Sequence, residues 1–431
     1  MAQVAGVGGM AAGNNLCAKA LENMGTGEPE TRRRIVNWAT KILALSAIVL
    51  SQVAFAQETR PAKPTGLAAM DAAHQADAKK LLDGAVKFLL AQREKDGGWS
   101  AGPNGVYKPA LTGMALRGLL GHPDFAPSVR SRENDQIIKK GFEVLLGFRQ
   151  KDGGIYAPKE GQSAYTTAIA VAALKAAGES SYNEAIRDAV SYLKGLQIVP
   201  GQESPDNKKM AADDPRVGGV GYGKGPTYQP NLSVMGFWLE GLEAGGVDAK
   251  DPAVQSALGF LSRLQNRSES NTMAFVKQGA EDGGFVYALD ESKGGPEGKG
   301  GLRSYGSMTY VGFKSLLYAG LARDDPRVQA AYSWIRKYWD LDNNPNLPGA
   351  QSQQGLYYYY MAFAKALRAW GEPVVKDSKG REHNWRQELV DSLKQRVKDD
   401  GSWENPADRW EEGSGVLVTA YCIMALEEAV K

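Results

Sequence analysis

Phe88-Leu89-Leu90-Ala91-Gln92-Arg93-Glu94-Lys95-Asp96-Gly97-Gly98-Trp99 reads as the end of an amphipathic helix that runs into a glycine turn and closes on an aromatic ring. The pattern returns as Gln150-Lys151-Asp152-Gly153-Gly154-Ile155 and as Gln395-Arg396-Val397-Lys398-Asp399-Asp400-Gly401-Ser402-Trp403. Looser copies are Gly218-Gly219-Val220-Gly221-Tyr222 and Asp282-Gly283-Gly284-Phe285. One turn recurring along a chain marks a repeat architecture, in which no unit buries its apolar surface alone.

Around each turn the sequence predicts a pair of helices. The first of each pair has one apolar face, as Leu82, Val86, Leu89 and Leu90 show, and is placed at 81–92, 137–150, 185–197, 253–265, 328–339 and 385–397. The second is rich in small and aromatic residues and is placed at 111–120, 165–177, 232–244, 307–319, 356–370 and 416–429. Asp251-Pro252 and Asp325-Pro326 supply an N-cap and a first-turn proline. Gly178, Gly245, Gly320 and Gly371 follow second helices, where a left-handed residue is wanted. Six pairs hide their apolar faces by closing into a double ring with the second helices inside. The expected fold is an all-α (α/α)6 toroid over residues 77–431, with no domain boundary inside it.

These turns resemble the QW repeats of squalene and oxidosqualene cyclases. Gln92 with Gly97-Gly98-Trp99 and Gln395 with Gly401-Ser402-Trp403 carry the resemblance, while Gln150 with Gly153-Gly154 lacks the aromatic. The resemblance implies a terpenoid cyclase-like toroid, a ring shared with prenyltransferase β-subunits and complement-type thioester domains. It implies a structural role for Gln92, Gly97, Trp99, Gln150, Gly153, Gln395, Gly401 and Trp403. A glutamine amide can reach helix-end carbonyls, glycine permits positive φ, and the aromatic fills the gap between helices.

The catalytic motifs of that family are missing. Alkene protonation in its cyclases uses an Asp-x-Asp-Asp run, whereas this chain has only Asp213-Asp214, Asp324-Asp325 and Asp399-Asp400, which read as turn or cap residues. The prenyltransferase zinc ligands have no counterpart in Tyr305-Gly306-Ser307-Met308-Thr309-Tyr310. Histidines are confined to His74, His122 and His383, so no metal and no cofactor are expected. Neither a thioester run nor a serine elbow occurs. Cys422, in an apolar helix, reads as a small buried hydrophobe.

Aromatic residues of the second helices are therefore the candidates for a ligand site: Tyr228, Trp238, Tyr305, Tyr310, Tyr357, Tyr360 and Trp410. Core packing is the competing reading for each. Glu411, Glu412 and Asp290 are the candidate acids, and Ser292-Lys293-Gly294-Gly295 begins a glycine-rich segment that could cover an opening. The ligand expected is apolar and isoprenoid-like, suited to aromatic faces. A non-catalytic scaffold with a protein partner and a glycan-processing toroid are the rival readings. Membrane association is left open.

With 51 Lys+Arg against 49 Asp+Glu, the chain carries no basic surplus that would point to nucleic acid. Arg32-Arg33-Arg34, an uncharged run at 42–56 and a closing Ala54-Phe55-Ala56 predict a signal peptide over 1–56, with an over-extended start. A mature tail at 57–76 and an extracytoplasmic location follow from it. The arginine run also has a weak twin-arginine character.

Overall fold

The computed structural model describes residues 70–102, 106–203, 209–223 and 229–431. The signal peptide over 1–56, most of the tail and Tyr228 lie outside the described residues. In chain order the helices are α1 (Ala72–Ala91), α2 (Lys108–Gly121), α3 (Arg132–Leu146), α4 (Ser163–Ala177), α5 (Asn183–Lys194) and α6 (Leu232–Ala244). They continue as α7 (Pro252–Ser262), a short α8 (Ala274–Gln278), α9 (Gly306–Tyr318), α10 (Pro326–Lys337), α11 (Leu356–Trp370), α12 (Trp385–Lys394) and α13 (Gly415–Val430). Two small antiparallel hairpins interrupt the series: β1 (Pro296–Glu297) with β2 (Gly301–Leu302), and β3 (Val374–Lys376) with β4 (Glu382–Asn384).

Helix packing follows a cyclic order. Helix α2 packs on α4, α4 on α6, α6 on α9, α9 on α11, α11 on α13, and α13 returns to α2. These inner helices are apolar on nearly every side; in α13 each residue from Val416 to Glu427 is buried. A helix of that kind needs neighbours all round it. The outer helices α1, α3, α5, α7, α10 and α12 bury one stripe only, in α3 Ile137, Ile138, Gly141, Phe142 and Leu145. Outer α12 also meets outer α1, so both layers join across the ends of the chain.

The turns explain why consecutive units lock together. Gly97, Gly153, Gly218, Gly283 and Gly401 all have φ between 79 and 99°. A Cβ on Gly153 would lie 2.8 Å from the carbonyl of Asp188, on Gly218 2.1 Å from Ser256, and on Gly283 2.6 Å from Ala330. Each of those carbonyls belongs to the outer helix of the following unit. Gly401 makes the same approach to Gly84, at 2.6 Å, where the last unit meets the first. Preceding aspartates cap the turns: Asp96, Asp152 and Asp282 accept from Gly98, Gly154 and Gly284 at 3.0–3.1 Å. The plug residue then donates its amide to a buried threonine of its own inner helix, Trp99 to Thr112, Ile155 to Thr167 and Phe285 to Thr309, each at 3.0 Å.

A second contact between units caps the inner helices. The amide of Tyr107 donates to Glu160 (2.9 Å), that of Ala164 to the carbonyl of Tyr222 (2.9 Å), and that of Leu232 to the carbonyl of Tyr287 (2.8 Å). Ser307 donates to Asn344 (2.9 Å) and Tyr358 to Glu412 (2.8 Å). In every case the acceptor comes from the next unit, so the orphan amides of one helix depend on its neighbour.

Several boundaries differ from expectation. Helix α1 starts at Ala72 instead of residue 81, because Asp71 accepts from the amide of His74 and the polar, Ala- and Lys-rich lead has no apolar period to reveal it. Gly178, Gly320 and Gly371 are left-handed, but Gly245 stays right-handed at φ −68° and Gly246 takes the turn at +86°. Gln92 and Gln395 are exposed at their helix ends. The bridging glutamines are Gln197, which donates to Gly218 and Ala253, and Gln265, which donates to Gly283 and Arg327. Gln150 bonds within its own turn, to Phe148 and Tyr156.

Gly218→Ala is expected to destabilise the protein by roughly 2–4 kcal/mol, from a disfavoured φ and the clash with Ser256. Gly349→Ala, which meets nothing within 4 Å, is the control and leaves thermal unfolding unchanged. Equal unfolding midpoints for the two variants would refute the locking role of the turn.

Candidate functional site

Every inner helix begins at the same end of the ring, and that end holds a cavity of about 430 Å³. Its deeper wall is apolar, with Leu111, Met114, Met308 and Leu417. Seven tyrosines complete it: Tyr107, Tyr165, Tyr222, Tyr287, Tyr305, Tyr358 and Tyr421. Tyr165, Tyr358 and Tyr421 come from inner helices, Tyr107 and Tyr305 immediately precede α2 and α9, and Tyr222 and Tyr287 each lie two residues beyond a turn plug. Val220 and Phe285 are buried in the core, and the chain that leaves each of them carries Tyr222 and Tyr287 to the cavity wall.

The hydroxyls are largely paired with one another. Tyr165 and Tyr421 lie 3.1 Å apart, Tyr222 and Tyr287 3.2 Å, and Ser233 and Tyr358 3.2 Å. In such a pair one hydroxyl donates and the proton of the other stays free, so each pair offers one donor to a ligand. Burial pushes the phenols of Tyr165, Tyr305 and Tyr421 well above their ordinary range, which keeps them protonated.

At the mouth stand Lys293, Trp410 and Glu411. The Nζ of Lys293 is paired with Glu291 and lies 4.5 Å from the centre of the Tyr287 ring. Trp410 is 41% exposed, with the Arg409 guanidinium 4.7 Å from its ring centre. Tyr107, Trp410 and Glu411 have φ of 56, 59 and 65°, so three of the four left-handed non-glycine residues described in the chain line this cavity. Backbone held in that region costs energy, and such residues gather where a side chain must be aimed.

Glu412 lines the cavity but is almost wholly enclosed. One oxygen accepts from the amide of Tyr358 at 2.8 Å and the other from Asn405 at 2.6 Å, which makes it the cap of α11. Burial pushes its carboxyl up to about 7, against the pull of those donors.

The expected site residues separate accordingly. Tyr305, Trp410, Glu411 and Glu412 meet at the cavity, whereas Asp290 is exposed outside it. Trp238 packs in the core and donates its indole to Leu193 at 2.8 Å. That is the bond Trp99 makes to Leu89 and Trp403 to Leu393, so Trp238 replaces the turn aromatic that the third unit lacks. Tyr310 packs against Tyr359 and Phe363. Tyr357 packs edge-on to Tyr360, whose hydroxyl donates to Leu341 at 2.5 Å. Of the four consecutive tyrosines, only Tyr358 reaches the cavity.

The cavity is closed below by rings. Phe237 lies 4.4 Å from Tyr165 and 6.2 Å from Tyr358, and Tyr358 lies 5.8 Å from Tyr421. Beyond them a second space of about 290 Å³ opens at the C-terminal ends of the inner helices. There Lys314 and Lys365 both bond Glu240, and against its burial they hold that carboxyl at about 2. Among the described residues no group of three His, Cys, Asp or Glu is placed to hold a metal. The histidines are separately engaged, His74 with Asp71, His122 with Asp83 and His383 with Glu388. Cys422 is buried.

No family model matches the chain. Among solved structures it is similar to an unsaturated glucuronyl hydrolase specific for heparin, at 11% identity and a TM-score of 0.52, covering 82% of this chain and 97% of that one. It is also similar to the type II terpene cyclase MstE from Scytonema in complex with geranylgeranyl dihydroxybenzoate, at 14% identity and a TM-score of 0.49, covering 84% and 99%. A protein from Actinoplanes matches at 16% identity and a TM-score of 0.49, covering 82% and 100%. At such identities the likeness speaks for fold alone, and that fold is the α/α toroid.

Proposed function

We propose that the tyrosine-lined cavity binds an isoprenoid-like ligand with an apolar body and few hydrogen-bonding groups, after export directed by residues 1–56. The observation that carries this reading is the pairing of the phenols around an apolar wall of Leu111, Met114, Met308 and Leu417. Aromatic and aliphatic surface of this kind gains from covering hydrocarbon, and the free protons at the hydroxyl pairs suit one or two oxygens. Glu411 and Lys293 at the mouth favour a polar end left facing outwards.

Binding, not acid-initiated cyclisation, is the activity the site is equipped for. Glu412 is the enclosed carboxyl nearest the ligand space, but its oxygens already accept hydrogen bonds and its proton leaves near neutrality. Protonating an alkene needs a far stronger acid. A glycan is the second reading, favoured by the half-exposed Trp410 ring beside Glu411 at the mouth.

Titrating the purified protein with farnesol, geranylgeraniol or squalene is expected to change Trp410 fluorescence saturably. Tyr358→Ala and Tyr421→Ala should weaken binding about tenfold, or about 1.4 kcal/mol. If all three isoprenoids leave the signal flat while a uronic-acid oligosaccharide changes it, the glycan reading replaces this one.

Glu412 also sets a pH dependence. Between its ordinary 4.5 and about 7, the folded chain keeps a proton that the unfolded chain has released. Raising the pH through that window therefore lowers stability, by about 1–3 kcal/mol. Glu427, likewise pushed up to about 7 by burial, acts in the same direction. Glu412→Gln should flatten part of the slope in denaturant unfolding followed from pH 5 to 8; an unchanged slope would contradict the assignment.

A further inference from the structure

Away from both cavities, one buried and one half-buried arginine make no ion pair among the described residues. Arg386, the second residue of α12, is 3% exposed, and its guanidinium lies 4.2 Å from the ring centre of Trp385. Its Nη1 and Nη2 find no protein acceptor. Arg368, in the last turn of α11, is half-buried, and its Nη1 is likewise unpartnered.

Burying a guanidinium with free N–H groups is costly unless something accepts from them, and a second like charge nearby raises the cost. Burial and the charge of Arg368 together push Arg386 down to about 10, with Glu428 pulling the other way. A helix-end role accounts for Arg368, since a cation suits the C-terminus of α11. The same argument works against Arg386, which stands in the first turn of α12, where the dipole favours an anion.

We propose that Arg368 and Arg386 form a binding site for a small oxyanion, held between the last turn of α11 and the first turn of α12. The planar forks of two guanidinium groups suit the oxygens of a tetrahedral or carboxylate anion. Entry is from the side of half-buried Arg368. The site is independent of the tyrosine-lined cavity, which lies at the opposite ends of the inner helices.

The probes are inorganic phosphate, sulfate and acetate, each compared with chloride at equal ionic strength by thermal unfolding and by calorimetric titration. At least one oxyanion is expected to raise the unfolding temperature saturably, and the arm that does so identifies the anion class. Arg368→Gln should weaken its binding about tenfold, and Arg386→Lys, which keeps the charge but loses the fork, by a similar factor. Because Arg386 is buried, the more exposed Arg368→Gln carries the test if the other variant fails to fold. Equal unfolding in all three oxyanions and in chloride would overturn the proposal, as would an undiminished response in Arg368→Gln.

Discussion

One steric contact holds the ring together: a glycine at positive φ pressed against the outer helix of the next unit. Gly153, Gly218, Gly283 and Gly401 each bring their α-carbon so near a helix carbonyl that any side chain would collide with it. The approach is conditional on the turn, which Asp caps on one side and a threonine of the inner helix steadies on the other. Because Gly401 makes the contact to Gly84, the ends of the repeat array join by the device that joins its middle. The inner-helix caps add a polar counterpart, with Glu160, Asn344 and Glu412 each serving a neighbour's amides.

Consequences for the cavity follow directly. Inner helices that all start at one end place their first turns around a common space, and the loops that cap them bring Tyr222 and Tyr287 to its wall. Glu412 belongs to this framework. Its carboxyl completes α11, so its enclosure is explained by folding before any chemistry is invoked. Glu411, next in sequence but turned outward with Trp410 in a left-handed conformation, is left for the mouth. Framework and cavity mouth are thus built from adjacent residues with opposite assignments.

Substitution between units shows how loosely sequence and geometry are coupled here. The first and sixth units close the outer-helix carbonyl with a turn tryptophan, while the third does so with Trp238 from its inner helix. The glutamine bridge is made in the third and fourth units by Gln197 and Gln265, whereas Gln92 and Gln395, in the clearest copies of the pattern, are exposed. The function of each position is conserved in physics, and the residue that performs it shifts.

From the chain alone, the helix pairs, the DGG turns and the Asp-Pro starts could be read, because they rest on local propensities and on a period that repeats. Which tyrosines face the cavity could not. Tyr357, Tyr358, Tyr359 and Tyr360 sit on a helix enclosed on nearly all sides, where periodicity points nowhere in particular, and neighbours alone send Tyr358 inward and the rest into the core. The signal that sequence does carry is the recurrence of tyrosine two residues past a plug, at Tyr222 and Tyr287. The two arginines belong wholly to tertiary structure: Arg368 and Arg386 lie on separate helices, and only packing brings a half-buried and a buried guanidinium there with N–H groups that find no protein acceptor.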